Sequence, residues 1–322
     1  MIRRDDCRDI GCAEAPVPEC AKHGELGVAA RLLAPNASPH RMVDLLLVID
    51  DSGDMDAAQL AFALEIPHLL ERLVIDASVL DLRVGVITSD MGTGGEDIAG
   101  CREPNYGRDG MLARSECVED ERAPPYLGFR TSSDTLATLP TFATDVQCAM
   151  NVGTNGCGFE QPLEAMLKAI TPSSSELRFV NASSGHGDGA NEDFVRDDAL
   201  LAILMLTDED DCSAAAEDFF VQGAYPDEGL PPRCVRYEDP NLLHPVLRYV
   251  DGLLDVKGDD IVFGTLTGVP PDLVPDANDV DYGPLVGPET ERDPRMVPTV
   301  EYGAQLAPSC TRVGGHAAKP PV

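Results

Sequence analysis

Two apolar runs constrain what this chain can fold into more than any other feature. Met42-Val43-Asp44-Leu45-Leu46-Leu47-Val48-Ile49-Asp50 and Leu200-Leu201-Ala202-Ile203-Leu204-Met205-Leu206-Thr207 are nearly continuous in apolar residues. Each empties into acid, Asp50-Asp51-Ser52-Gly53-Asp54 after the first and Asp208-Glu209-Asp210-Asp211 after the second. A short run that is apolar at odd and even positions alike marks a strand buried on both faces, as in parallel sheets. Asp81–Thr88 and Asp260–Gly268 read as further strands. Helices are predicted over Phe159–Ile170, Leu242–Val256 and 55–74. In the last of these Leu60, Leu64, Leu69, Leu70 and Leu73 recur, and Pro67 should kink or divide the pattern. Strands alternating with helices argue for an α/β fold, a mostly parallel sheet with helices on both faces.

The stretches between these elements set the organisation. Residues 1–41 carry three cysteines and Pro/Ala-rich sequence, a stapled leader or linker. A long excursion rich in Gly, Pro, Arg and Asp fills Ser89 to about Phe142, with an edge strand expected at Tyr126–Thr131. Residues 171–195 are polar and Gly/Ser-rich, and 269–322 form a Pro-rich tail of low expected order. The core domain is thus 42–268, with insertions at about 91–140 and 171–198.

Composition excludes several functions. The 322 residues contain 56 Asp+Glu against 24 Lys+Arg, a net charge of −32, whereas phosphate backbones need a basic footprint. Such a surface suits metal cations or a basic partner, and also simply solubility. No apolar run approaches the ~20 residues of a membrane helix. The even count of 10 cysteines, with no C-x-x-C and no His at zinc-finger spacing, reads as disulfides formed in an oxidising compartment. Pairing nearest neighbours gives Cys101–Cys117, Cys148–Cys157 and Cys212–Cys234. The N-terminus has two arginines but no apolar h-region, so either the protein is cytosolic with free thiols or this chain begins downstream of its true start, the reading that ten cysteines favour.

The chemistry gathers where the apolar strands end, the edge at which open α/β sheets bind ligands. Asp50, Ser52 and Asp54 alternate in the first turn and Asp208 opens the second. Between them Gly153-Thr154-Asn155-Gly156-Cys157-Gly158 enters a helix with one hydroxyl to offer. Carboxylates and hydroxyls without imidazole or thiolate make an oxygen site, suited to Mg²⁺, Mn²⁺ or Ca²⁺. Singly, each piece has a plainer reading as helix cap, turn or solvated edge charge. Their joint occurrence in order favours a metal site.

Asp50-Asp51-Ser52-Gly53-Asp54-Met55 resembles the D-x-S-x-S motif that opens the metal-ion-dependent adhesion site of von Willebrand factor A domains. Thr154 in its Gly-Thr loop resembles the family's second element, and Leu206-Thr207-Asp208 the third. The order, with spacings of roughly 100 and 50 residues, fits that family's doubly wound topology. Gly156 through Ala165, with Thr207 through Cys212, is similar to cysteine-bearing members of bacterial cell surfaces, often lipoproteins. The resemblance implies that Ser52 and Thr154 ligate a metal through their hydroxyls. Asp50 and Asp208 would act directly or through water and orient the shell. Asp54 departs from the pattern, standing where the family usually has a second Ser; its charge would weaken attraction for a partner's carboxylate, favour Ca²⁺, or close the site. A full sheet of this family also ends with a sixth strand and a terminal helix, for which 270–322 offers no candidate. That implies a fragment truncated at both ends, with an exposed sheet edge and Cys310 lacking its partner.

Other chemistries find no motif. There is no G-x-S-x-G elbow, no Walker lysine in Gly153–Gly158 and no H-E-x-x-H among the six histidines. His186 reads as part of a flexible loop, and the acidic stretch Asp188–Asp198 fails EF-hand spacing. The expectation is a non-catalytic, extracytoplasmic module that binds an unknown protein partner through a divalent cation held by Asp50, Ser52, Asp54, Thr154 and Asp208. The alternatives are a metal-dependent hydrolase or phosphotransferase using Asp50, and a scaffold whose metal site is structural or disabled.

Overall fold

A computed structural model describes residues 31–32, 41–98, 100–118, 120, 122–131, 135–221, 234, 242–274, 281–287, 290–297 and four short strands between 300 and 318. Six strands form one mixed sheet: β1 (Arg31–Leu32), β2 (Met42–Ile49), β3 (Asp81–Thr88), β4 (Leu127–Arg130), β5 (Leu200–Leu206) and β6 (Ile261–Leu266), in the order β1-β6-β5-β2-β3-β4. β3, β2, β5 and β6 run parallel, while β4 and β1 close the two sides antiparallel. From β2 the chain steps outward to β3 and β4, then returns to the far side of β2 to lay down β5.

The continuous apolar character of β2 follows from helices on both faces. Val43, Leu45, Leu47 and Ile49 meet Phe62, Ile66 and Leu70 of α1 (Asp56–Glu71) and Phe142 and Val146 of α2 (Leu139–Ala149). Leu46 and Val48 face Met166 and Ile170 of α3 (Pro162–Ile170) and Tyr249 of α4 (Val246–Lys257). The polar exception, Asp44, is fully buried and bonded to Arg196: the backbone N–H donates at 2.7 Å and Nε at 2.8 Å. This ion pair ties the end of the 171–198 insertion beneath the sheet.

Several expectations change. α1 runs through Pro67 undivided and finishes in a π-helical turn, Arg72–Asp76, in which Ala77 N donates five residues back to Arg72 O. One missing N–H does not break a helix whose Phe62, Ile66, Leu70 and Val74 are all buried. Of the leucine series Leu70 belongs to that stripe and Leu69 and Leu73 pack against its core, whereas Leu60 is 62% exposed and Leu64 45%. α3 and α4 begin later than predicted, each with a proline at its start, Pro162 as its first residue and Pro245 as its cap.

α2 was not expected at all. Leu139, Phe142, Ala143, Val146 and Ala149 supply its buried face, but Thr138, Thr141 and Thr144 lower the local helix preference, and Thr144 Oγ1 bonds back to Pro140 O. The excursion that contains it is also no surface loop, since Ser89, Asp90, Met91, Thr93, Ile98 and Leu112 are buried.

Two of the three expected disulfides are replaced. The chain pairs Cys101–Cys157 and Cys117–Cys148, the second nested inside the first, together with the expected Cys212–Cys234. Short local loops would have left the excursion untied; the observed bonds fasten it to the loop before α3 and to α2. Cys101, Cys157, Cys212 and Cys234 pack with Phe159, Phe219 and Phe220 in a third apolar cluster. Cys7, Cys12 and Cys20, and the side chain of Cys310, lie outside what the structure describes. At the outer edge of the sheet, β1 from the leader pairs with β6 through Arg31 opposite Phe263 and Leu32 opposite Val262. The tail contains a one-turn helix, α5 (Gly283–Val286), and two short hairpins, β7 (Val300–Glu301) with β8 (Gln305–Leu306) and β9 (Cys310–Thr311) with β10 (Ala317–Ala318). Among the described residues no helix is long and apolar enough to cross a membrane.

Candidate metal centre

β2 and β5 lie side by side where the strand order reverses, so a crevice opens beyond their C-terminal ends. Asp50 extends the ladder by one residue, its N–H donating to Leu206 O at 2.9 Å, which fixes its backbone at the mouth of that crevice. Its carboxylate is fully buried and held from both sides: Ser52 N donates to Oδ1 at 2.9 Å and Thr207 Oγ1 to Oδ2 at 2.8 Å. Burial raises its pKa, hydrogen bonds from Ser52 N, Thr207 Oγ1 and the Ser52 side chain oppose that, and the charge of Asp54 raises it again.

The loop carrying Thr154 is docked onto this turn. Gln59, on the inward face of α1, donates through Nε2 to Asp50 O at 2.7 Å and to Gly153 O at 2.9 Å. Gly156 N donates to Asp51 O at 2.8 Å. Thr154 is therefore bracketed against the first turn by its neighbours on either side. Gly156 sits so close that a Cβ there would fall 2.3 Å from Asp51 Oδ1. On the β5 side, Asp208 is half-buried, its Oδ1 shielded from water, and directly follows the threonine that holds Asp50.

Asp50, Ser52, Thr154 and Asp208 thus lie on adjoining turns and loops past the ends of β2 and β5. Asp50 and Ser52 are buried, Asp208 is half-buried, and Thr154 lies in the docked loop. Asp54 is different: it is exposed on the rim and felt at Asp50 only as a charge. Sequence reasoning passed over Gln59, Asp51, Asp90 and the role of Thr207. Gln59 had a signal, since it sits on the same face of α1 as Phe62 and Ile66, where a polar residue needs a partner. Asp90 had one too, because the pairing of Ile49 with Thr88 leads on to Asp51 beside Asp90.

The donor set fits a hard cation. Ser52 is 4% exposed, and its side chain lies in hydrogen-bonding reach of the Asp50 carboxylate. The charges felt at Asp50 and Asp51 come from each other and from Asp54 and Asp90, all negative. Buried carboxylates in that situation call for a positive charge. Among the described residues no three His, Cys, Asp or Glu side chains converge as metal ligands, so a cation here depends on the hydroxyls of Ser52 and Thr154 as well.

His186 is not in a free loop. Its Nε2 lies 2.8 Å from Asp109 Oδ2, whose other oxygen takes the fully buried Lys168 ammonium, and Lys168 Nζ also reaches Ser183 Oγ at 2.7 Å. These contacts fasten both insertions to α3. Nor do the residues of Asp188–Asp198 gather around a shared point: Asp188 accepts from Ser173 N, while Arg196 belongs to Asp44. No protein-family model matches the chain, and no curated protein matches it.

Proposed function

We propose that this chain is a von Willebrand factor A-type module that holds a divalent cation at Asp50, Ser52, Thr154 and Asp208 and binds a protein partner through it, without catalysis. The observation that carries this reading is the buried Ser52 hydroxyl, turned toward an Asp50 carboxylate that Ser52 N and Thr207 also hold. The strand order supports it: counted from β2, the sheet runs 3-2-1-4-5, the doubly wound sequence, with β1 lying where a sixth strand would follow. Three disulfides suit an oxidising, extracytoplasmic setting at a bacterial surface or in a periplasm, lipid-anchored or free.

When bound, the cation supplies an electrophilic coordination position at the crevice mouth. This chain's residues orient the ligands: Thr207 and Ser52 N fix the rotamer of Asp50, Gln59 sets the distance between the two loops, and Gly156 permits their close approach. Asp54 projects charge at the rim, so it opposes an incoming carboxylate and gives retention of the cation priority over capture of an acidic partner. The hydrolase reading has less support, because both oxygens of Asp50 accept hydrogen bonds, which lowers their nucleophilicity while leaving each a lone pair for a cation.

Thermal melts of wild type and Asp208→Ala in EDTA, Mg²⁺, Ca²⁺ and Mn²⁺ test the site. A cation at about 100 times its Kd should add roughly 2.7 kcal/mol to wild type and little to the variant. Equal responses of the two proteins, or none from wild type, would remove the reading.

A further inference from the structure

Away from the crevice, three side chains that the cation site does not use are pressed together where the first insertion crosses α3. Lys168 of α3 has a fully buried side chain, whose Nζ donates to Asp109 Oδ1 and, at 2.7 Å, to Ser183 Oγ. Asp109 Oδ2 lies 2.8 Å from His186 Nε2. The rings of Tyr106 and Phe179 flank the same Nζ at 5.8 and 5.7 Å.

The backbone braces this contact. Asn191, itself buried, donates through Nδ2 to Gly110 O and Ala169 O, both at 2.9 Å, so the residues following Asp109 and Lys168 share one clamp. Gly110 approaches α3 so closely that a Cβ there would fall 2.6 Å from Ala165 O. His186 N donates to Lys168 O at 2.9 Å. The glycines on either side of His186 permit this, since a Cβ at Gly185 would fall 2.0 Å from Thr171 O and one at Gly187 2.4 Å from Ile170 O.

The use of lysine is the informative point. Only 4 of the 24 basic residues are lysines, and the buried carboxylates of Asp44 and Glu164 are met by Arg196 and Arg248 instead. A guanidinium keeps its charge, whereas an amine freed of its proton is a nucleophile toward a carboxyl carbon. Holding the two groups in contact turns a condensation into an intramolecular step, with an effective concentration on the order of 10⁵ M or more.

We propose that Lys168 and Asp109 are joined by an isopeptide bond, an amide between Nζ and Cγ that the folded chain forms on itself. The ammonium passes one proton to the carboxyl group, and the freed amine attacks Cγ. His186 carries a second proton from Nζ to Oδ2, which leaves as water, while Oδ1 remains as the amide oxygen. Two of the three Nζ protons thus depart with Oδ2 and the third stays on the amide nitrogen; no oxidant or co-reactant is consumed. The bond fastens the first insertion to α3 without sulfur, so it persists when Cys101–Cys157 and Cys117–Cys148 are reduced. It does not depend on the cation centre.

The test is the mass of the full chain, taken from natively folded protein that melts cooperatively and is then reduced and alkylated. Wild type should be lighter than its sequence by one water. Lys168→Arg and Asp109→Gly should keep their full sequence masses; glycine suits the φ of +59° at position 109. Trypsin should release from wild type a branched peptide joining residues 109–114 to 131–178, uncut after Lys168. That product is read on wild type, so a variant that fails to fold does not affect it. Wild type at full mass, with separate peptides cut after Lys168, would overturn the proposal and leave the contact an ion pair. A loss of water without the branched peptide would overturn it too, because Asp109 precedes Gly110 and can close a cyclic imide on that neighbour's nitrogen.

Discussion

Asp50 has both oxygens held by Ser52 N and Thr207, while the Ser52 hydroxyl beside it reaches only toward that same carboxylate among the described contacts. The contrast separates a residue that orients from one that is available to bind. Replacing Gly156 by alanine should act on this arrangement directly. Its new Cβ would meet the Asp51 carboxylate at 2.3 Å, so the Thr154 loop must retreat. The expected outcome is a stability loss of about 1–3 kcal/mol, as for other overpacking changes. Cation affinity should fall at least tenfold by isothermal titration. His244 offers a pH test away from the rim. Burial, and then the charge of Arg248, lower its pKa from 6.5 to about 4. Above pH 6.5 it is neutral folded or unfolded and carries no penalty. Between 6.5 and 4 only the unfolded chain takes up the proton, so stability is lost as the pH falls through that window. His244→Gln should therefore flatten the fall of denaturation midpoint between pH 6.5 and 4. A parallel decline in both proteins would show that other groups govern it.

For the secondary elements, what could be read from the sequence depended on burial pattern. β2 and β5 were legible because strands buried on two faces leave nearly uninterrupted apolar runs with definite ends, and β3 by the apolar Leu82, Val84, Val86 and Ile87. α1 was legible as a helix, but its leucine series is packed only in part: Leu70 is buried and Leu69 and Leu73 lie against the core, while Leu60 and Leu64 are exposed and Phe62, Ile66 and Val74 complete the face. Ile66→Ala should cost about 2–5 kcal/mol and Leu60→Ala within roughly 0.5 kcal/mol, in urea denaturation. Comparable losses at the two positions would mean that the other face of α1 is covered in solution. α2 escaped notice because threonines dilute its apolar period, and its stability comes from the sheet beneath it and not from local preference. The candidate site showed the same division. Ser52, Thr154 and Asp208 stood in short local motifs, whereas Gln59 and Asp90 reach the rim only through the packing of α1 and the register of β3.

Taken whole, the molecule is a sheet whose parallel core is built from local sequence and whose rim is built from distant crosslinks. The two disulfides of the excursion serve different parts of that rim. Removing Cys117–Cys148 by a double alanine substitution should lower stability by about 2–4 kcal/mol and leave cation affinity unchanged, because it ties the excursion to α2. Removing Cys101–Cys157 should weaken cation binding as well, because Cys157 directly follows the glycine that docks on Asp51. Identical binding by the two double variants would separate the crosslinks from the site. The nested pairing was beyond the sequence, since three-dimensional proximity of 101 and 157 depends on the whole excursion folding back.

That nesting also dictates the order of events in making the protein. As the chain grows from its N-terminus, Cys117 is present as a partner for Cys101 long before Cys157 exists, and Cys148 is followed at once by Cys157. First-come oxidation thus joins the neighbours and strands the excursion as two small rings. Reaching 101–157 around 117–148 requires those early bonds to be opened by thiolate attack and exchanged. Production in active form accordingly depends on a shuffling catalyst or a glutathione-type redox buffer, and an oxidant acting alone would fix the chain in a pairing from which the rim cannot be assembled.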